Sequence, residues 1–248
     1  MTDFVVVIPA RWASVRLPGK PLREIAGRPM IEHVYRRGTE SGAEEVIVAT
    51  DDARIADAVE GFGGEVCMTG SAHRSGSERI AEVCDLMHWD DTQIVVNLQG
   101  DEPTMPPELI DQCADLLADS RADIATLASP LAAVADFENP NVVKVLVDGG
   151  GFALYFSRAP IPYARDPALR ERAAAAARHH HGLYAYRAGV LRRMVSTEPA
   201  ELEVCEQLEQ LRALAMGLRI RVGEPARRPG AGVDTEADLA AAAQALSH

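Results

Sequence analysis

Short apolar runs alternate with segments of helical periodicity along the first half of the chain. Five runs have the length and the composition of strands buried on both faces of a sheet. They lie at residues 5–8, 45–50, 65–68, 93–98 and 124–127. Between them, apolar side chains recur at helical spacing, as Ile31, Val34 and Tyr35 do after the first run. This alternation predicts an α/β fold, a Rossmann-like three-layer αβα arrangement with a mostly parallel central sheet.

The pattern changes at about residue 139. Two apolar segments, 142–147 and 153–156, flank an Asp-Gly-Gly-Gly turn and predict a β-hairpin. The elements predicted after the hairpin are a helix at 170–178, a strand at 182–187, a helix at 202–216, a strand at 219–222 and a helix at 235–246. Because no internal repeat or linker interrupts the chain, we expect a single domain over residues 1–248. Residues 140–190 would then form a small hairpin-containing lobe of that domain.

Composition limits the possible classes of function. The chain has 248 residues, 47% of them hydrophobic, and a net charge of -12. An acidic protein is a poor candidate for holding nucleic acid, which needs a basic face. No apolar run approaches the roughly 20 residues that span a bilayer, and the first residues lack the basic start of a signal peptide. We therefore expect a cytoplasmic protein that binds small molecules.

The spacing of the four cysteines does not indicate a disulfide or a metal site. Cys67, Cys84, Cys113 and Cys205 are widely spaced, and no two of them form a CxxC pair. Each falls in an apolar pattern, which predicts reduced core residues rather than disulfides or metal ligands.

A basic loop follows the first predicted strand and stands out in an acidic protein. It carries Arg11, Arg16, Lys20 and Arg23 among glycines and prolines, which let a backbone approach a ligand closely. Neither a GxxxxGK[ST] nor a GxGxxG motif is present, which argues against P-loop kinases and dinucleotide dehydrogenases. The cluster of cations instead predicts a polyphosphate site of another kind.

Two aspartates are candidates for a metal site. Asp101 follows Gly100 at the end of the fourth strand, and Asp234 follows a glycine-rich segment. Mg²⁺ is commonly held by one or two carboxylates together with substrate phosphates. Each aspartate also has a structural interpretation: Asp101 as a turn residue, and Asp234 as part of the cap of the last helix, with Thr235 and Asp238.

Seven stretches of the sequence resemble one enzyme family. They are PARWASVRLPGKPL at 9–22, HRSGSER at 73–79, NLQGDEP at 97–103, NPNVVKV at 139–145, ALYFSRAPIP at 153–162, LEQLRAL at 208–214 and GVDT at 232–235. Together they resemble the 3-deoxy-manno-octulosonate (Kdo) cytidylyltransferases, the CMP-Kdo synthetases of lipopolysaccharide synthesis. The first stretch alone would indicate only the wider sugar-nucleotidyltransferase group. NLQGDEP and YFSRAPIP separate the chain from the sialic-acid cytidylyltransferases.

The resemblance implies the transfer of CMP from CTP to Kdo, with release of pyrophosphate, and it assigns residues to this reaction. The residues implied on the nucleotide side are Ala10, Arg11, Lys20, Ser75 and Arg79. The implied Mg²⁺ ligands are Asp101 and Asp234, and the implied catalytic residues are Arg11, Lys20 and Asp101. The residues implied to line the sugar-acid pocket are Gln99, Arg158, His180, Tyr184, Glu209 and Gln210. A homodimer formed through the hairpin lobe is implied as well.

The sequence departs from the family at His179, His180 and His181. The family usually has a basic residue, a histidine and an apolar residue there, so His180 matches the pocket histidine. A metal site is the alternative interpretation of three histidines. Consecutive residues of a strand point to opposite faces, however, so the three imidazoles cannot easily share one ion.

Two alternatives to Kdo activation remain open from the sequence. One is a cytidylyltransferase for another α-keto sugar acid, such as 8-amino-Kdo or a nonulosonic acid. The other is a nucleotide-binding protein without activity. Such a protein would be expected to have lost Lys20, Asp101 or Asp234, and this chain has all three.

Overall fold

A computed structural model describes residues 2–13, 17–118 and 121–246. The strands are β1 Phe4–Ala10, β2 Glu24–Ile25, β3 Arg28–Pro29, β4 Glu45–Thr50, β5 Glu65–Met68, β6 Ile94–Asn97, β7 Ile124–Pro130, β8 Lys144–Val147, β9 Ala153–Ser157, β10 Arg178–Arg187 and β11 Ile220–Gly223. The helices are α1 Met30–Thr39, α2 Ala53–Gly61, α3 Gly76–Leu86, α4 Pro107–Ala118, α5 Val134–Glu138, α6 Arg170–Ala176, α7 Ala188–Val195, α8 Glu201–Glu206, α9 Gln210–Ala215 and α10 Glu236–Leu246. The predicted elements of the first half are all present.

Strand β1 lies inside the sheet, as its apolar sequence predicts. It pairs in parallel with β4 on one side and with β6 on the other, and β4 pairs in parallel with β5. Its side chains alternate between two separate cores. Phe4, Val6 and Ile8 pack into one core, and Val5 and Val7 pack into the other. Helices therefore cover both faces of the sheet, which gives the three layers.

The second half adds antiparallel strands to the same sheet. The order along the sheet is β11-β7-β10-β6-β1-β4-β5, and β10 is antiparallel to both of its neighbours in this order. The hairpin of β8 and β9 joins through β8, which pairs with the start of β10. Strand β11 runs parallel to β7. The predicted α/β fold with a mostly parallel sheet is confirmed.

One predicted helix is broken in two. The periodic segment 202–216 forms α8 and α9, and the break lies at Gln207, whose φ of 52° is left-handed. This turn leaves Glu206, at the end of α8, facing the hairpin of β8 and β9. Its carboxylate accepts hydrogen bonds from Ser157 Oγ at 2.6 Å and from Arg158 N at 2.9 Å. Periodicity was preserved across the break, so the sequence pattern alone did not reveal it.

The cysteines only partly follow their predicted burial. Cys84 and Cys113 are buried, and burial raises the pKa of the Cys84 thiol to about 12. Cys67 is half-buried and Cys205 is exposed on α8, so the prediction of four core cysteines was wrong for these two. A helix as short as α8 keeps one face in solvent, which periodicity within a longer predicted helix could not show.

No helix of the described ranges has both the length and the apolar character required to cross a membrane.

Candidate active site

A cavity of about 500 Å³ opens beyond the carboxyl ends of β1 and β6. Ligands of open α/β sheets bind at such strand ends. The lining contains most of the residues assigned from the sequence, namely Ala10, Arg11, Lys20, Ser75, Arg79, Gln99, Asp101, Glu209 and Asp234. Residues that are far apart in sequence therefore meet in one place.

The centre of the cavity is an ammonium group held between two carboxylates. Lys20 Nζ lies 2.6 Å from Asp101 Oδ2 and 2.9 Å from Asp234 Oδ1. Burial of the ammonium lowers its pKa, but the two carboxylates outweigh burial and hold the pKa of Lys20 above its usual value. Lys20 is therefore charged, and the two aspartates converge on one cationic position.

Glycine contacts bring the two aspartates together. A side chain at Gly232 would collide with the Glu102 carboxylate, and one at Gly230 would collide with Thr104. The glycine-rich segment can therefore lie directly on the loop that follows β6. Val233 N then donates to Asp101 O at 2.9 Å, which fixes Asp234 beside Asp101.

Pro9, near the end of β1, packs against the loop that follows β6 and against the start of α3. A Cβ atom at Gly100 would lie 2.9 Å from Pro9 O, and one at Gly76 would lie 3.2 Å from Pro9 Cγ. A larger residue at position 100 would move the loop away from the strand end, because the atom it would meet belongs to the backbone. Gly100 thus lets the loop lie on β1, with Asp101 in the cavity lining.

The four cations of the basic loop have different surroundings. Arg11 is exposed and lines the cavity, whereas Arg23 pairs with Glu236 of α10 at 2.8 Å. Arg16 lies outside the described residues. The polyphosphate interpretation therefore rests on Arg11 and Lys20.

Ser75 and Arg79, two residues assigned to the nucleotide side, are bonded to neighbouring protein groups. Ser75 caps α3, since its Oγ accepts from Glu78 N at 3.2 Å. Arg79 is buried, pairs with Asp51 at 3.2 Å and donates to the hydroxyl of Thr69. Because its guanidinium bonds to the protein in this way, Arg79 stiffens the loops after β4 and β5 at the edge of the cavity.

Glu102 is a member of the site that sequence reasoning passed over. Burial, with a smaller effect of Asp101, raises the pKa of its carboxyl to about 8. Its Oε2 is buried and has no hydrogen-bond partner among the described residues. The motif NLQGDEP contained the signal, but a carboxylate next to a candidate metal ligand is not distinguishable from a turn residue by sequence.

A second group of polar residues lies on β10 and at the start of α9. His180 is buried against the rings of Phe156 and Tyr184, with centroids 5.1 Å away in each case. Thr126 Oγ1 donates to Leu183 O at 2.7 Å, so it accepts from His180 Nε2 at 3.1 Å, which leaves Nδ1 as an acceptor. Burial lowers the pKa of His180 to about 3, so the imidazole is neutral.

Two polar groups of this second set, one on β10 and one on α9, have no protein partner among the described residues. They are the hydroxyl of Tyr184 and Nε2 of Gln210, and both are buried. Burial raises the pKa of Tyr184, so its hydroxyl keeps its proton. Buried polar groups are nearly always hydrogen-bonded, which makes such a pair typical of a site that a ligand completes.

Arg158 is placed differently from the other assigned pocket residues. It is not part of the cavity lining, and its guanidinium donates to Glu206 O at 2.8 Å and to Pro140 O at 3.0 Å. Its own carbonyl accepts from Lys144 Nζ at 2.6 Å. The fully buried Lys144 also donates to two carbonyls of the preceding turn, a role that the sequence did not reveal. Contact between Arg158 and a substrate stays a prediction.

The three consecutive histidines do not form a metal site. The rings of His179 and His181 lie 4.8 Å apart, while His180 packs with Phe156 and Tyr184. Within the described ranges, no three His, Cys, Asp or Glu side chains are grouped so that they could hold a metal ion.

The two aspartates fit Mg²⁺ by a different criterion. They already converge on one cation, the ammonium of Lys20, and their side chains are 36% and 45% exposed. Substrate oxygens and waters can therefore supply the ligands that an octahedral ion would still need.

A family model described as Cytidylyltransferase matches residues 5–220. That range includes β1 with its basic loop and the loop that carries Asp101, and it ends at the start of β11. The fold and the site thus define the class of protein, a cytidylyltransferase.

Comparisons with individual proteins narrow this class. A 3-deoxy-manno-octulosonate cytidylyltransferase of Idiomarina loihiensis is 54% identical over 242 residues, and the match covers 96% of each chain. One of Halorhodospira halophila is 54% identical over 248 residues, covering 98% of this chain and 96% of that one. A solved structure of a CMP:2-keto-3-deoxy-manno-octonic acid synthetase complexed with CTP superposes with a TM-score of 0.89 at 42% identity, over 99% of both chains. The chain belongs to the 3-deoxy-manno-octulosonate cytidylyltransferase family, as its motifs predicted.

Proposed function

We propose that the protein transfers CMP from CTP to 3-deoxy-manno-octulosonate and releases pyrophosphate. The observation that carries the proposal is the Lys20 ammonium between Asp101 and Asp234, beside the exposed Arg11. Cations and a carboxylate pair at one strand end can receive a nucleoside triphosphate and its metal ion. Relatives that are 54% identical carry the name of this activity.

In the proposed reaction, the anomeric hydroxyl oxygen of Kdo attacks the α-phosphorus of CTP. A new P–O bond forms while the bond from the α-phosphorus to the bridging oxygen breaks, and pyrophosphate leaves with the electron pair. The hydroxyl proton passes to solvent, and no protein base is assigned. Positioning and charge stabilisation carry most of such a transfer. Arg11 and Lys20 would hold the β- and γ-phosphates and stabilise the charge that develops on pyrophosphate.

Mg²⁺ is part of the proposal, with Asp101 and Asp234 as its protein ligands. When bound, the ion neutralises charge on the α-phosphate and favours ionisation of the attacking hydroxyl. Lys20 contacts both carboxylates, so its ammonium and a bound ion would compete for them. Phosphate oxygens offer Lys20 a second set of acceptors, which would ease this exchange.

The sugar acid would be recognised by the neutral group around β10. His180 Nδ1, the Tyr184 hydroxyl and Gln210 Nε2 are polar atoms that a sugar hydroxyl can pair with. Glu209, which immediately precedes Gln210 at the start of α9, lines the nucleotide cavity, so the two groups of residues adjoin. Gln99 and Arg158 are kept as proposed sugar contacts on the resemblance alone.

A homodimer formed through the hairpin lobe is also proposed. Leu154 of β9 and Leu202 and Val204 of α8 are large apolar side chains exposed in the described monomer. Strand β9 pairs with β8 and offers its other edge for pairing. We expect the reaction to take place in the cytoplasm, with its product supplying lipopolysaccharide synthesis.

A pyrophosphate-release assay tests the proposed function. Release should require both Kdo and CTP, and ATP, GTP and UTP should support it much less well. A panel with 8-amino-Kdo and a nonulosonic acid distinguishes the alternative substrates, since a higher kcat/KM for either would replace Kdo in the proposal. Tight CTP binding in calorimetry without release for any sugar acid would instead indicate a nucleotide-binding protein without activity.

A further inference from the structure

The ring of Trp12 packs between Arg54 of α2 and Gly19, which lies further along the basic loop. The guanidinium carbon of Arg54 is 3.4 Å from the ring centroid, well within the range of a cation–π contact. Trp12 is not part of the cavity lining, although its neighbours Arg11 and Ala13 both are. The indole thus contacts protein at a point where the chain on both sides faces the nucleotide cavity.

Arg54 is held in place by a rigid element. Its Nε and Nη2 pair with the two carboxylate oxygens of Asp52 at 2.9 and 2.6 Å. Asp52 is also the N-cap of α2, since its Oδ1 accepts from Arg54 N at 3.0 Å. The guanidinium that stacks on Trp12 is therefore fixed at the start of a helix rather than carried by the loop itself.

The same ring touches the far end of the basic loop. Gly19 has a left-handed φ of 64°, and a Cβ atom there would lie 3.0 Å from the Trp12 ring. Trp12 follows Arg11, and Gly19 precedes Lys20. One indole therefore joins the two ends of the loop, next to the two cations assigned to the triphosphate.

We propose that Trp12, stacked on Arg54, is a positioning residue that holds residues 11–13 against Gly19 and so sets the separation of Arg11 and Lys20 for the triphosphate of CTP. The inference rests on the proposed function for the identity of the nucleotide. It adds that CTP binding changes the environment of the indole. It also adds that the stack affects the binding of CTP and not the binding of the sugar acid.

Fluorescence tests the first part without turnover. Trp12 and Trp89 are the two tryptophans of the chain, so Trp89→Phe leaves Trp12 as the only indole. CTP with Mg²⁺ should change the emission of Trp12, and cytidine, which lacks the phosphates, should change it little. If saturating CTP leaves the emission unchanged, the proposal is wrong. A change with CTP in a protein that fails to activate Kdo would support this inference while the proposed function fails.

Kinetics test the second part. Arg54→Ala should raise the KM for CTP by about 3- to 10-fold and leave the KM for Kdo unchanged. Arg170→Ala is a matched control, because both arginine side chains are 57% exposed and each pairs with one carboxylate. Trp12→Phe, which keeps a ring, should retain more CTP affinity than Trp12→Ala. A wild-type KM for CTP in Arg54→Ala, whose exposed site should not disturb folding, would overturn the proposal even if Trp12→Ala does not fold.

Discussion

The two sides of the site are built from opposite kinds of polar group. On the proposed nucleotide side, Lys20 forms ion pairs with Asp101 and Asp234, and Arg11 is exposed. On the proposed sugar side, His180 and Tyr184 are buried and neutral. The first group can bind by charge, whereas His180 and Tyr184 can bind only by hydrogen bonds and shape.

The difference explains which part of a substrate each side can recognise. A triphosphate binds mainly through its negative charges. Charged side chains of an open site can exchange a protein partner for a phosphate with little change in burial. A sugar is recognised by its hydroxyls, and discrimination is strongest where absence of a hydroxyl leaves a buried protein group unpaired. Substitutions on the two sides should therefore change different kinetic constants.

The largest effect is expected at Asp101. Asp101→Ala removes a proposed metal ligand from a loop and should reduce kcat by at least about 10³-fold, with little change in the free energy of unfolding. Asp85→Ala is the matched control, because Asp85 also lies 2.6 Å from a cation, Arg192. A near-wild-type rate for Asp101→Ala at saturating Mg²⁺ would remove the metal assignment.

Lys20→Ala should reduce kcat by about 10²- to 10³-fold, because a charge that stabilises pyrophosphate is lost. It should also strengthen Mn²⁺ binding to the nucleotide-free protein, measured by calorimetry, because the competing ammonium is gone. Arg23→Ala serves as the control, since Arg23 is in the same segment but pairs with Glu236. Weaker Mn²⁺ binding in Lys20→Ala would contradict the competition.

Tyr184→Phe should raise the KM for Kdo by about 3- to 10-fold and leave the KM for CTP unchanged. It removes a buried hydroxyl without a protein partner among the described residues, so it should also raise the free energy of unfolding, by about 1 kcal/mol. Tyr186→Phe is the control, because the Tyr186 hydroxyl bonds to Ser77. Loss of stability in Tyr184→Phe would show that this hydroxyl has a structural partner.

The smallest expected effect on catalysis belongs to His181, whose substitution should change stability in acid rather than turnover. Burial lowers the pKa of His181 to about 4, whereas an unfolded histidine titrates near 6.5. Between these values the unfolded state binds more protons, so the free energy of unfolding should fall as the pH decreases from about 6.5 to about 4. His181→Asn should flatten this dependence by up to about 1.4 kcal/mol per pH unit. Denaturant unfolding at several pH values measures it, and equal slopes for both proteins would contradict it.

The charged residues of the proposed nucleotide side could be predicted from the sequence more readily than the contacts that hold the rest of the site. Lys20 and Asp101 could be predicted because each charged residue directly follows a glycine at a predicted strand end or loop. Asp234 could be assigned only through the resemblance to the family, because its own surroundings fit a helix cap equally well. The partners of Arg79 and Arg158 could not be predicted, because an arginine that bonds to nearby backbone or to Asp51 has the same sequence signature as one that binds a ligand. The break at Gln207 was also hidden, since α8 and α9 continue one periodicity. Backbone strain and long-range contacts are not local properties of a sequence.

The contact between the glycine-rich segment and the loop of Asp101 has a consequence for synthesis. Strand β11, the last of the described strands, ends at Gly223, and Asp234 follows it. A ribosome must therefore make all of these strands before it can supply the second carboxylate. A nascent chain released before residue 234 could hold its sheet and one aspartate, yet lack the second. Catalytic turnover would then show that residue 234 had been synthesised, whereas a measurement of folding alone would not show it.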